Sequence, residues 1–159
     1  MDQPGIVFYV GVGQGDARQE AIGGYQARSR AARLIHGLGF TPGEEDRPVA
    51  EFSGGWRMRV ALAAVLFSQP DFLLLDEPTN YLDLEGALWL ESYLAKYPHT
   101  VIIVSHDLNF ALYLSDRVAM MHDGQVVAIG TPEEIKKSQN PLVRKFIYTT
   151  TKGIQGERD

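Results

Sequence analysis

The chain has 159 residues, 45% of them hydrophobic, enough for one domain with a substantial core. A net charge of −5 argues against a dedicated nucleic-acid-binding surface, and direct DNA binding is not expected. The absence of cysteine excludes disulfides, thiolate metal ligands and thiol catalysis, and no apolar run approaches the roughly 20 residues that span a bilayer.

The start, Met1-Asp2-Gln3-Pro4, has no basic region followed by a long apolar one, so no signal peptide is visible and a cytoplasmic location is expected. Ile6–Val10 is β-branched and aromatic, which predicts a strand. Gly11-Val12-Gly13-Gln14-Gly15 follows. Its spacing lacks the third glycine of a dinucleotide fingerprint and the Gly-Lys of a phosphate loop, so it reads as a flexible turn. Residues 17–38 carry periodic apolar positions among alanines and arginines and predict one or two helices interrupted near Gly23-Gly24. Gly37 and Gly39 end that segment, and Thr41-Pro42-Gly43 is a turn.

Phe52-Ser53-Gly54-Gly55-Trp56 leads into a strongly helical run from Arg57 to Phe67. Free backbone N–H groups and the positive end of the helix dipole make such a start an anion site, although an ordinary N-cap with flexible glycines fits the same letters. Phe72-Leu73-Leu74-Leu75 then runs into Asp76-Glu77 and is stopped by Pro78. A continuous apolar run of that length predicts a strand buried on both faces of a parallel sheet, and ligands of α/β proteins bind at the carboxyl ends of such strands. There an Asp can hold Mg²⁺ and a neighbouring Glu can orient an attacking water, while a solvated acidic turn is the plainer alternative.

Leu84–Tyr97 predicts a helix with Leu84, Leu88, Leu90 and Leu94 among its apolar positions. Thr100–Val104 is a second strand ending in Ser105-His106-Asp107. If it lies parallel to the first, His106 shares a sheet edge with Asp76 and Glu77. A helix over Leu108–Leu114, a hairpin around Asp123-Gly124, a helix capped by Thr131 with Pro132 at its first position, and another from Pro141 complete the chain, with a polar, frayed tail from Thr149.

Phe52-Ser53-Gly54-Gly55-Trp56, Leu73-Leu74-Leu75-Asp76-Glu77-Pro78-Thr79-Asn80, Tyr81-Leu82-Asp83 and Val104-Ser105-His106-Asp107 stand in the order and spacing of ABC-type ATPase domains. They resemble that family's signature motif, Walker B strand with catalytic Glu, D-loop and switch histidine, and the resemblance covers roughly residues 25–148. It implies an α/β fold with a mainly parallel sheet flanked by helices, that is, a partial P-loop NTPase with a helical subdomain segment before the signature. It also implies ATP and Mg²⁺ as cofactors. Asp76 would position the metal, Glu77 would polarise the attacking water and His106 would contact the γ-phosphate. Ser53, Gly54 and Gly55 would hold the γ-phosphate of ATP bound to the opposite subunit, and Asn80 to Asp83 would carry signals across a dimer interface. Trp56 replaces the family's usual Gln, and Tyr81 stands where one branch has His.

One departure is serious. The first lysine of the chain is Lys96, downstream of signature and Walker B, so the loop G-x-x-x-x-G-K-[ST] is absent and ATP hydrolysis by this chain alone is in question. Gln14 is a weak stand-in for the family's Q-loop glutamine. Residues 25–107 resemble the soluble ABC-F branch, and residues 116–148 resemble ATP-binding subunits of lipid-transport ABC systems. Three segments are expected: residues 1–52 as a strand plus helical subdomain, 53–130 as the core bearing the motifs, and 131–159 as the carboxyl-terminal helices and tail. The resemblance implies an ATP-binding, ATP-hydrolysing domain of an ABC transporter subunit, placed at the inner face of the membrane through a permease and paired with a second ABC ATPase domain. The alternatives are a non-hydrolysing module that lends its signature to a partner's ATP, and part of a translation-associated ABC-F ATPase. The acidic charge and lack of a long basic linker count against the ribosome as partner.

Overall fold

The computed structural model describes residues 6–10 and 24–155. The Gly11–Gly15 stretch, Gln14 and the part of the first expected helix before Gly24 lie outside the described residues. In chain order come β1 (Ile6–Val10), α1 (Gly24–Gly37), two 3-10 turns (Glu44–Asp46 and Val49–Glu51), α2 (Gly54–Ser68), β2 (Phe72–Asp76) and α3 (Leu84–Leu94). β3 (Thr100–Ser105), α4 (Leu108–Leu114), β4 (Arg117–His122), β5 (Gln125–Gly130), α5 (Pro132–Lys136) and α6 (Pro141–Gln155) follow. The chain divides into two compact units, one of residues 1–11, 74–77 and 100–159, the other of residues 12–73 and 78–99.

The first unit is built on a five-stranded sheet of order β2-β3-β1-β4-β5. β2 and β3 bring their carboxyl ends together, with the Glu77 N–H donating to the Val104 carbonyl at 2.8 Å. β1 is antiparallel to both β3 and β4, and β4 to β5, so β3 and β4 run in one direction and β1 and β5 in the other. The α/β class stands, and three of the four neighbouring pairs in this sheet, β3–β1, β1–β4 and β4–β5, are antiparallel. The β4–β5 hairpin turns on Asp123 (φ 49°) and Gly124 (φ 72°), two left-handed residues whose twist matches the flanking strands. α4 lies against β1, and α5 and α6 lie against β5. α5 starts with a full capping box in which the Glu134 N–H donates to Thr131 Oγ1 and the Thr131 N–H donates to the Glu134 carboxylate. Val101, Ile103, Val118 and Met120 supply the sheet side of the core, and Leu108, Ala111, Leu114, Ile135 and Val143 the helix side.

One expectation is corrected. β2 buries only Leu73 and Leu75, while Phe72 (57% exposed) and Leu74 (64%) face water. Strand side chains alternate between faces, and an edge strand covered on one face leaves every second side chain in solvent. The apolar run alone does not distinguish the two cases.

The second unit packs Leu38, Phe40, Phe52 and Ala63 into one cluster, joined by Trp56, Val60, Leu82 and Trp89. The Phe40 ring meets Phe52 edge-on at 5.7 Å and Trp56 at 4.8 Å. In α3, Leu90 and Leu94 are buried, but Leu84 and Leu88 are exposed, so the leucines do not form one buried stripe. The helix ends at Leu94, and Tyr97 beyond it is buried, its hydroxyl donating to the Pro70 carbonyl at 2.9 Å.

Burial pushes the Tyr97 phenol up to about 12, with Tyr93 and Asp71 adding to the shift. A phenol that stays neutral in the fold while its unfolded counterpart ionises near pH 10 favours unfolding only once pH exceeds that lower value. Stability from this group is therefore full below about pH 10 and falls as pH rises toward 12. A Tyr97→Phe variant, lacking the hydroxyl, is expected to be less stable by about 1 kcal/mol at neutral pH. Urea midpoints measured from neutral to strongly alkaline pH should show that deficit shrinking as the wild-type loses stability. A deficit that stays constant across the range would contradict the assignment.

Candidate functional site

Asp76 closes β2 with its side chain exposed, and Glu77 follows in a left-handed conformation at φ 44°. A bulky residue there carries local strain of order 1–3 kcal/mol, which persists only where the surroundings over-determine it. Here the Glu77 N–H is held by Val104, and its carboxylate is turned toward the end of β3. Ser105 Oγ donates to Glu77 Oε2 at 3.5 Å, the limit of a hydrogen bond, and accepts from the Asp107 N–H at 3.1 Å. His106 Nε2 stands 3.4 Å from Glu77 Oε1. That is ion-pair range, and Oε1 itself is buried with no hydrogen-bond partner among the described residues. Asp107 is turned away to cap α4, accepting from the Asn109 and Phe110 N–H groups at 2.9 and 3.1 Å. The result is a carboxylate with one oxygen committed and one poised beside an exposed imidazole, at the sheet end where Asp76 emerges.

In the second unit, Ser53 occupies the N-cap position of α2 in an extended conformation, yet its side chain makes no capping hydrogen bond. Its carbonyl accepts from the Arg57 N–H at 2.9 Å. A side chain added at Gly54 would meet nothing within 4 Å, and one at Gly55 would touch only Tyr81, at 3.5 Å. First-turn N–H groups that the Ser53 hydroxyl does not cap, and open space above Gly54, suit a tetrahedral oxyanion. Asn80 lies exposed in the loop after β2. Asp83 caps α3 through the Gly86 N–H at 2.8 Å. That N–H, with Arg59 contributing, holds its carboxyl below the ordinary carboxylate range.

Asp76, Glu77 and His106 thus share one sheet end, and Ser53, Gly54, Gly55, Asn80 and Asp83 belong to the other unit. Ser105 was missed from the sequence, although a signal existed. It falls on the same strand face as buried Val101 and Ile103, and a buried hydroxyl requires a partner.

Among the described residues, no group of three or more His, Cys, Asp or Glu side chains converges to cage a metal. The donor set does fit Mg²⁺, which keeps its waters and binds through one or two carboxylates plus phosphate oxygens. Glu77 Oε1, in ion-pair range of His106 but with no hydrogen-bond partner among the described residues, suits a group that orients water.

Residues 8–80 match the family profile described as ABC transporter. Over 106 residues the chain is 51% identical to ATP-binding cassette sub-family F member 3 of Homo sapiens, an alignment covering 67% of this chain and 15% of that protein. The chain belongs to the ABC-type ATPases. It is likewise 52% identical over 99 residues to the probable ATP-binding protein YheS of Escherichia coli K12, covering 62% of this chain and 16% of that one. This ABC-type chain therefore spans about 15% of the length of the curated relatives it matches. Among solved structures, the dimeric MJ0796 bacterial ABC transporter cassette aligns with TM-score 0.58 and 28% identity over 72% of this chain and 51% of that one. The same cassette in a post-hydrolysis state bound to ADP and Pi aligns with TM-score 0.57 and 27% identity, with the same coverage.

Proposed function

We propose that this chain is the signature-and-Walker-B portion of an ATP-hydrolysing ABC domain that works in a pair. The observation that carries the reading is the Glu77 carboxylate, strained at φ 44°, anchored by Ser105 and 3.4 Å from His106 at the end of a strand whose last residue is Asp76. ATP supplies the phosphoryl group transferred to water, and Mg²⁺ offsets its charge. Asp76 would hold the metal. Glu77 Oε1 accepts a proton from water and aims that water, with Ser105 fixing the carboxylate plane. His106, exposed beside it, would donate to a phosphate oxygen. Ser53 and the N–H groups of Gly54 and Gly55 would bind the terminal phosphate of ATP seated on a second ABC ATPase domain, with Asn80 and Asp83 on the same contact surface.

Two settings remain for this chemistry. A membrane permease as partner, with the chain at the inner face of the membrane, fits the family description and the likeness of residues 116–148 to lipid-transport subunits. A soluble ABC-F ATPase is favoured by the sub-family F relatives. Co-purification with a permease supports the first, and salt-sensitive co-sedimentation with ribosomes the second.

The test measures Mg-ATP binding and turnover by the purified chain, alone and mixed with a second ABC ATPase domain that carries a P-loop. Turnover in either preparation supports the hydrolytic reading. ATP-dependent association without turnover reduces the chain to a module that lends its signature. No binding, association or turnover in either sinks both.

A further inference from the structure

Arg59 sits in the second turn of α2, its side chain 11% exposed. The guanidinium lies over the Trp56 ring at 4.4 Å and reaches three acceptors from two other segments. Nε donates to the Tyr81 carbonyl at 2.6 Å, and Nη1 donates to the Leu38 carbonyl at 3.0 Å and to Asp83 Oδ2 at 3.2 Å. Space for this fork is kept clear by Gly39, whose φ is 91° and where an added Cβ would stand 2.7 Å from Nη1. The Tyr81 ring in turn rests near Gly55 at the start of the same helix.

An exposed ion pair contributes little, but a guanidinium that is largely buried, stacked on an indole and bonded to two main-chain carbonyls fixes geometry. The other ties of the Tyr81–Asp83 segment are the Leu82 N–H to Thr79 O at 3.0 Å, Leu82 packed against the Phe40–Phe52 cluster, the Ala87 N–H to the Asp83 carbonyl at 2.9 Å and the Asp83 cap on Gly86. None of them joins this segment to Arg59's turn of α2 through a hydrogen bond. We propose that Arg59 is a positioning residue that locks the Tyr81–Asp83 loop to the first turns of the signature helix, so that the phosphate-binding glycines and this loop move as one body. The functional meaning of that lock rests on the reading above, in which both surfaces face a second ATPase domain.

The experiment is residue-resolved amide hydrogen exchange on the whole chain. Arg59→Met keeps the stem over Trp56 and removes every donor, whereas Arg59→Lys keeps the charge but not the fork. In the Met variant the Leu82 and Gly86 amides are expected to exchange about tenfold faster or more, while amides of α1 and the second half of α2 change by less than about twofold. In the Lys variant the same two amides should accelerate by roughly threefold, because one ammonium cannot serve all three acceptors. Unchanged Leu82 and Gly86 exchange, or a uniform rise across the whole unit, overturns the proposal. Should Arg59→Met not fold, the Lys variant decides by the same criterion. No nucleotide is involved, so failure here is separate from failure to bind or hydrolyse ATP.

Discussion

A Glu77→Gln variant is expected to lose at least about a hundredfold in ATP turnover while Mg-ATP binding stays within about threefold. The substitution keeps the size and planarity of the side chain. An amide oxygen can still accept from Ser105 Oγ, which stands 3.5 Å from Oε2. The left-handed backbone at φ 44° is equally available to Gln, so neither strain nor packing changes. What disappears is the carboxylate charge, including that at Oε1, which has no hydrogen-bond partner among the described residues and lies 3.4 Å from His106 Nε2. If that oxygen takes the proton of the attacking water, the loss falls on kcat rather than KM. Phosphate release is measured at saturating Mg-ATP in whichever preparation turns over, the chain alone or the chain with a second ATPase domain. Undiminished turnover would place the base elsewhere and leave Glu77 as a structural residue.

The placement of Asp76, Glu77 and His106 at one sheet end was legible because each stands where a strand pattern stops. Asp76, Glu77 and His106 each follow an apolar run, and a run that ends in charge marks a sheet end without any knowledge of its neighbours. The hairpin at Asp123-Gly124 and the Thr131-Pro132 helix start were legible for the same reason, since local backbone preference determines both. Other features depend on contacts far along the chain. Arg59 bonds to residues 21 to 24 positions away, and nothing in the helical period separates it from Arg57, which is exposed. The direction of β1 was equally hidden, because Ile6–Val10 reads as a strand whichever way it runs. Leu74 looks the same in sequence as Leu73 and Leu75, and only the covered face of the sheet separates them.

Gly37 shows how a residue can be read correctly for an incomplete reason. It ends α1, as a helix-stopping glycine should, but its φ is not left-handed and the backbone there does not demand glycine. The demand comes from α3. A Cβ at Gly37 would lie 1.9 Å from Trp89 Cε2 and 2.3 Å from its Cδ2 and Nε1. The indole has little room to retreat, being stacked on Tyr93 at 5.2 Å and packed against the Leu38–Phe40–Phe52 cluster. Gly37→Ala is therefore expected to destabilise the protein by about 3 kcal/mol, the upper part of the overpacking range, even though alanine favours the helix by up to about 1 kcal/mol. Urea unfolding at fixed pH provides the number. Gly54→Ala is the internal comparison, since a Cβ there meets nothing within 4 Å and stability should stay within about 0.5 kcal/mol. The double variant Gly37→Ala/Trp89→Leu separates steric conflict from any intrinsic cost at the helix end. Removing the indole should recover part of the Gly37→Ala loss, giving a coupling of at least about 1 kcal/mol between two residues in contact. Strictly additive losses would mean that the two helices do not meet at this point.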